Sequence, residues 1–247
     1  MLLDELCDQL LPAAADHSVA DVRVGLGYTG VQLDDGRCGL AYTFRQGTGA
    51  GCCILKNAGS LSGRSASELA EGAHSQDLIV AALGLATLNA LIKPPLLSTG
   101  DILDQLSVDQ TETVGMIGYF GPLVEPLKKR AKTLHIFEQR EETGPGVLPE
   151  SEEERLLPQC QVAIVSATAL LNRTLDAILD YCRGAREIAI LGPSTLFLPS
   201  VFASRGVTIL SGIEVTDSRQ ALRVISEGGG TRQLGKSIRK VSLRVKC

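Results

Sequence analysis

TVGMIGYFGP, residues 113–122, reads as a short buried strand that runs into a glycine-rich turn and then into a helix opened by proline. Small and apolar residues in succession suit a strand covered on both faces. Proline is tolerated in the first turn of a helix, where its missing N–H has no helical partner. The same unit then recurs. LHIFE, QVAIVSAT, EIAILGPS and VTILSGIEV read as strands, and PLVEPLKKRAKT, NRTLDAILDYC, LPSVFASRG and SRQALRVISEG read as the helices between and after them. In the segment Asn172 to Cys182, Leu175, Ile178, Leu179 and Cys182 fall on one helical face. Strands and helices alternating at this spacing predict βα units, a parallel sheet of five strands and helices on both faces. The C-terminal half is therefore expected to be a Rossmann-like domain.

In such a sheet the ligand lies outside the carboxyl ends of the strands, where the strand order reverses. The residues just after each strand are the candidates. Gly118, Tyr119, Phe120 and Gly121 follow the first strand, and glycines there let the backbone and the helix N-terminus face an anion or a polar ligand edge. The spacing Gly115-x-x-Gly118-x-x-Gly121 departs from the dinucleotide fingerprint, and Gly115 falls inside the strand, which speaks against a nicotinamide site. Glu138 ends the second strand 20 residues after Gly118. An acid at that place holds a ribose in nucleotide-binding folds; a solvated strand end beside Arg140 and Glu141 is the equal alternative. After the third strand stand Ser166, Thr168 and Asn172, the last read as the N-cap of its helix. Ser194 and Thr195 follow the fourth strand, and Ser211, Gly212 and Asp217 the fifth. Polar groups converging on one rim predict a pocket. The tail from Thr231 has six basic residues and no acidic one, and reads as solvated surface or a last strand.

Upstream the pattern differs. Leu3, Leu6 and Leu10 predict an amphipathic helix over residues 2–14. Val22, Val24, Leu26 and Tyr28 alternate with smaller or polar residues, as do Cys38, Leu40, Tyr42 and Phe44 after Asp35-Gly36, which predicts a β-hairpin or meander. GTGAGCC, residues 47–53, is either a turn or a close approach to a ligand. Its adjacent Cys52 and Cys53 would point to opposite faces of a strand and so chelate one ion poorly. Ser65 and Glu68 form a capping-box pattern for a helix beginning at Ala66, preceded by the small-residue loop AGSLSG with Ser60. The longer helix QDLIVAALGLATLNALIK is stopped by Pro94-Pro95, and Asn89 interrupts its apolar stripe. A buried asparagine needs partners, in a neighbouring loop or in a ligand. Residues 96–112 read as a linker with a helical turn at Asp101 to Leu106, which divides the chain into 1–95 and 96–247.

Bulk composition narrows the function. The 247 residues are 44% apolar, which is enough for a real core without staples. Only 4% are aromatic, tryptophan is absent and the formal charge is -4. Base-stacking platforms and phosphate backbones call for the opposite, so nucleic acid is not an expected partner. Asp4, Glu5 and Asp8 interrupt the apolar start, unlike an export signal. The stretch Leu78 to Ile92 is shorter than the roughly 20 residues that span a bilayer. Seven scattered cysteines and no CxxC pair fit free thiols in a reducing cytoplasm. His17, His74 and His135 give no local support to a zinc site.

Taken together, AGSLSG followed by LGLATLNAL, then VGMIGYFGP, VSATALLNRTLD and ILGPST, resemble the putative heavy-metal chelation family over nearly the whole chain, from about Asp21 to Gly229. The resemblance implies an α/β protein: an N-terminal α+β domain like the small domain of enolase, a Rossmann-like C-terminal domain and an active site in the cleft between them. Carried onto this sequence, Gly118, Tyr119, Phe120, Gly121, Glu138, Thr168, Asn172, Ser194 and Thr195 would line that cleft, with Ser60 and Asn89 facing it from the first domain. Hydroxyl, amide and carboxylate groups suit a polar organic ligand or an oxygen-liganded ion better than a soft metal. Metal would then arrive bound to a small chelating molecule. Two further readings stand beside this one, an enzyme using a nucleoside-containing cofactor at the Gly118–Gly121 loop and a sensor whose domains close on a metabolite. No nucleophile, base and orienting acid assemble from the sequence, so no catalytic role is assigned. A homo-oligomer is left open.

Overall fold

The structure, a computed structural model, describes residues 1–45, 55–93, 98–139 and 146–245. The protein is a mixed α/β fold with a small antiparallel sheet and a large sheet dominated by parallel strands. Helix α1 (Leu2–Ala14) precedes strands β1 (Val19–Val24), β2 (Tyr28–Leu33) and β3 (Cys38–Tyr42), which pair in sequence as an antiparallel meander. The β2–β3 turn uses Gly36 at φ +89°, so the Asp35-Gly36 signal has its expected cause. Helix α2 (Ala66–Ala70) packs against α1 and α3 (Leu78–Leu91), and α3 covers the meander. Ser65 caps α2 by accepting from Ser67 N, while Glu68 pairs with Arg64 at 2.6 Å instead of closing the box.

Asp77 caps α3, whose residues are buried on nearly every side, as its apolar run requires. Gly39 of β3 meets this helix backbone to backbone. A Cβ there would lie 2.2 Å from Ala86 O, so only glycine lets α3 seat at that depth.

The large sheet holds β4 (Ser98–Thr99), β5 (Thr113–Ile117), β6 (Thr133–Glu138), β7 (Val147–Pro149), β8 (Val162–Ser166), β9 (Glu187–Leu191), β10 (Ile209–Val215) and β11 (Ile238–Arg244). Its order is β4-β11-β10-β9-β8-β5-β6-β7, parallel from β7 through β10 and antiparallel at β11 and β4. All five predicted strands are present. A sixth parallel strand, β7, is three residues long and too short to show a period. Helices α4 (Ile102–Gln105), α5 (Gly121–Arg130), α6 (Glu153–Leu156), α7 (Leu175–Tyr181), α8 (Pro199–Ala203), α9 (Ser218–Ser226) and α10 (Thr231–Leu234) complete the chain. Among the parallel strands the chain order across the sheet is third, second, first, fourth, fifth, sixth, and the order reverses between β5 and β8.

In the segment 98–112, α4 stands at the helical turn expected over Asp101 to Leu106, and Ile102 and Leu106 are buried against Val114, Met116 and Leu127. One reading is corrected. Asn172 does not cap α7: Thr174 holds that position, and Asn172 Oδ1 accepts from Thr174 N and Oγ1 in the turn before it. Of the two options for the basic tail, the last strand is realised as β11. Arg239, Lys240 and Arg244 are exposed along it, while Val241 and Ser242 are buried.

The meander does not stand apart from the large sheet. Tyr28 and Leu40 share a core with Ala221, Leu222, Val224 and Ile225 of α9. Residues of α1, α3, α7 and α8 belong to another continuous cluster.

Candidate functional site

A cavity of about 330 Å³ opens where β5 and β8 part, between the carboxyl ends of the parallel strands and the meander. Its first side is the turn after β5. Gly118 sits at φ +89°, and a Cβ on it would lie 3.0 Å from Ser166 Cβ. Glu138 Oε2 accepts from Tyr119 N at 3.1 Å and Oε1 accepts from Gln139 N at 3.0 Å, so this carboxylate ties the end of β6 to the glycine turn. Pro122 contributes no N–H to the mouth of α5. A phosphate placed there would meet a carboxylate where dinucleotide folds offer amides.

The second side is a row of hydroxyl and amide groups. Ser166 Oγ and Thr168 Oγ1 are 2.8 Å apart, and Asn172, Thr174 and Ser194 continue the row. The third side is aromatic. Tyr28 and Tyr42 meet edge to face at 6.3 Å between centroids, and Tyr42 and Phe44 at 5.1 Å. Tyr119, Phe120 and Phe137 join them. The chain has four tyrosines, five phenylalanines and no tryptophan, and six of those nine rings border this one cavity.

Three carboxyl groups, Glu138, Glu150 and Glu153, complete the lining. Glu153 is buried, and desolvation pushes its carboxyl up to about 7, with the nearby Glu150 adding to the shift. No lysine, arginine, histidine or cysteine is among the described lining residues.

Short polar bonds clamp the walls together. Tyr42 N donates to Ser194 Oγ at 2.8 Å, and Tyr28 OH and Thr231 Oγ1 are 2.5 Å apart. Asn89 Nδ2 donates to Leu40 O and to Pro193 O, each at 3.0 Å.

Of the residues expected at the cleft, Gly118, Tyr119, Phe120, Glu138, Thr168, Asn172 and Ser194 border the cavity. Four lie elsewhere. Gly121 begins α5. Thr195 is buried and donates to Ser211 O at 2.8 Å. Ser60 donates to Asn57 O on an exposed loop. Asn89 spends its amide on the two carbonyls just described, because the middle of β3 and the turn after β9 meet at its side chain. The loop GTGAGCC, with Cys52 and Cys53, and Arg140, Glu141, Pro94 and Pro95 lie outside the described residues.

Lining residues that the pattern did not single out include Tyr28, Tyr42, Phe44, Phe137, Glu150, Glu153 and Thr174. A signal existed for the aromatics. A hairpin centred on Asp35 puts Tyr28 opposite Tyr42, which is the observed register. Glu153 had none, since it stands in an acidic run that reads as solvated surface.

The described cysteines Cys7, Cys38, Cys160 and Cys182 do not border the cavity, and burial pushes their thiols up to between about 11 and about 12. The thiolate, not the thiol, binds soft metals. His17, Asp34 and Asp35 are the described group whose ligand atoms converge within 4.8 Å. A cation is already there: Arg37 lies 2.6 Å from His17 Nε2 and 2.6 Å from Asp35 Oδ2. Arg37 also donates to Leu91 O, so this cluster locks the hairpin to α3. The residues at the cavity therefore do not fit a soft ion held directly by the protein. No described helix is long and apolar enough to cross a membrane.

Two family models, both described as putative heavy-metal chelation, match residues 7–92 and 101–244. An uncharacterised protein of Methanocaldococcus jannaschii is 28% identical over 179 residues, which cover 70% of this chain and 69% of that one. A crystal structure of a protein with unknown function from Pyrococcus horikoshii, of the family matched by residues 101–244, superposes with a TM-score of 0.86 at 26% identity. It covers 99% of this chain and 100% of that chain. A second member of that family, from Desulfitobacterium hafniense, superposes with a TM-score of 0.80 at 23% identity over 98% of each chain. The fold, the order of the two segments and the match over most of the sequence agree, and the chain belongs to the putative heavy-metal chelation family.

Proposed function

We propose that the cleft binds a small organic ligand that carries a positive charge, and that in this family the charge is a metal ion brought in by a chelating molecule. The composition of the cavity carries this reading. Six rings and three carboxyl groups border it, with no basic, imidazole or thiol group among the described lining residues. Aromatic faces and carboxylates both attract cations. The cavity is at the small end of ordinary ligand pockets. Its carboxylates are not gathered into a coordination sphere: among the described residues only His17, Asp34 and Asp35 converge that closely. A cation held here has to bring most of its own ligands.

Thermal shift tests this, because a ligand that binds only the folded state raises the melting temperature. Free Zn²⁺ is compared with its 1:1 complex with 2,2′-bipyridine, a flat cationic chelate. The complex is expected to raise the melting temperature and the free ion to leave it unchanged. Equal shifts, or none with either, would overturn the reading.

One observation favours a second reading, a nucleoside-containing ligand. Glu138 ends the second strand of a sheet in dinucleotide-binding order. Tyr119 N is already bonded to Glu138 and Pro122 has no N–H, which narrows this reading to a nucleoside without a phosphate at the turn. Adenosine calorimetry with Glu138→Gln decides it: a ribose role predicts weaker binding, and unchanged binding removes it. The sensor reading, in which the two halves change their angle, finds little support in walls that share a core and several short hydrogen bonds.

A further inference from the structure

Glu153 opens α6 at the edge of the cleft and is only 6% exposed. Among the described residues no hydrogen bond or ion pair involves its carboxyl group. The groups facing it are acidic or neutral. Glu150 stands in the turn before α6, Cys182 at the end of α7 keeps its thiol proton, and Glu138 borders the same cavity from β6. The turn of residues 157–159 that follows α6 has no ionisable side chain. On α6 itself, the Arg155 guanidinium is committed to Glu152, with Nε 2.9 Å from Oε2. A carboxyl that is largely buried, has no protein donor and faces another carboxylate is biased toward the neutral acid, with only the solvent of the cavity at its oxygens.

We propose that Glu153 is the proton-exchanging residue of the cleft, neutral before the ligand arrives and ionised against the positive charge of the bound ligand, so that uptake expels one proton to solvent. The inference rests on the cationic-ligand reading above. The upward shift of this carboxyl, to about 7, agrees with it. Protein and ligand together lose one proton, no bond other than O–H is broken, and no oxidant or reductant is involved.

Calorimetry at pH 6.5 in buffers of different ionisation heat counts the proton. Two probes distinguish the source of the charge: the zinc–bipyridine complex, and N-methylquinolinium, a flat cation without metal. The expected result is release of ~0.7–1 proton per bound probe, with affinity rising several-fold from pH 6 to pH 8. In Glu153→Gln both the release and the pH dependence are lost. If only one probe binds and releases the proton, it identifies the source and supports the proposal. Binding without proton release, or release that persists in Glu153→Gln, overturns this inference and leaves the cleft reading standing. Binding by neither probe fails both. A check without any variant comes from carbon NMR of the glutamate carboxyls. One is expected to titrate near 7 in the free protein, and titration of all of them in the ordinary range of about 4–5 would overturn the proposal.

Discussion

The two main walls of the cleft are built on different principles. The wall at the carboxyl ends of the parallel strands is made of backbone turns and short polar side chains, each held by a bond to a near neighbour, such as Ser166 to Thr168 and Asn172 to Thr174. The wall from the meander is made of rings held by packing, Tyr28 against Tyr42 against Phe44. The first is fixed by the topology of the large sheet and so tolerates loss of a single side chain. The second shares its core with α9, where loss of a ring removes contacts on both sides. Polarity is thus adjustable in one wall, whereas the aromatic face is part of the scaffold.

That contrast can be broken by substitution, and the largest effect is expected in the ring wall. Tyr42→Ala should cost ~3 kcal/mol in chemical denaturation, since it removes an aromatic ring packed between two others. A cost under ~1 kcal/mol would mean that the meander wall is no more structural than the polar one. Next comes a gain. With its carboxyl raised in the folded state, Glu153 imposes a penalty that is absent at pH 4, grows as pH rises through about 7 and is full above it. Glu153→Gln should therefore match the wild type at pH 4 and be more stable at pH 8 by ~1–3 kcal/mol. Equal stability at both pH values would show that the carboxyl reaches water in the free protein.

The seam gives a smaller effect. Asn89→Ala leaves Leu40 O and Pro193 O without their shared donor and should cost ~2 kcal/mol, read by thermal or denaturant melts. Tyr119 is the half-exposed ring of the six, at 48%. Tyr119→Ala should change stability by less than ~0.5 kcal/mol while weakening binding of the zinc–bipyridine complex. It separates a ligand-contacting ring from the scaffold rings.

These regions also differ in how far the sequence reveals them. The rule that ligands gather outside the carboxyl ends of parallel strands located Gly118, Glu138, Thr168 and Ser194 from periodicity alone, because a βα repeat fixes which residues follow each strand. It could not separate Ser194 from Thr195. Neighbours in a turn point different ways, and Thr195 turns inward to Ser211 O. The ring wall was legible only in its parts. The alternation places Tyr28, Tyr42 and Phe44 on strands, although β3 stops at Tyr42, and a 4% aromatic content averaged over the chain conceals that most rings meet at one place. Glu153 was hidden because burial of one acid in the run from Glu150 to Glu154 depends on how α6 packs on α7, which local pattern does not encode.

The central claim, a positively charged organic ligand in the cleft, is tested most directly by native mass spectrometry with elemental analysis on freshly purified wild-type protein and Tyr119→Ala. The expected result is an organic adduct on the wild type, with any metal present in fixed ratio to it, and less of both on the variant. A bare metal ion without organic mass, or an adduct retained equally by the two proteins, would contradict the account.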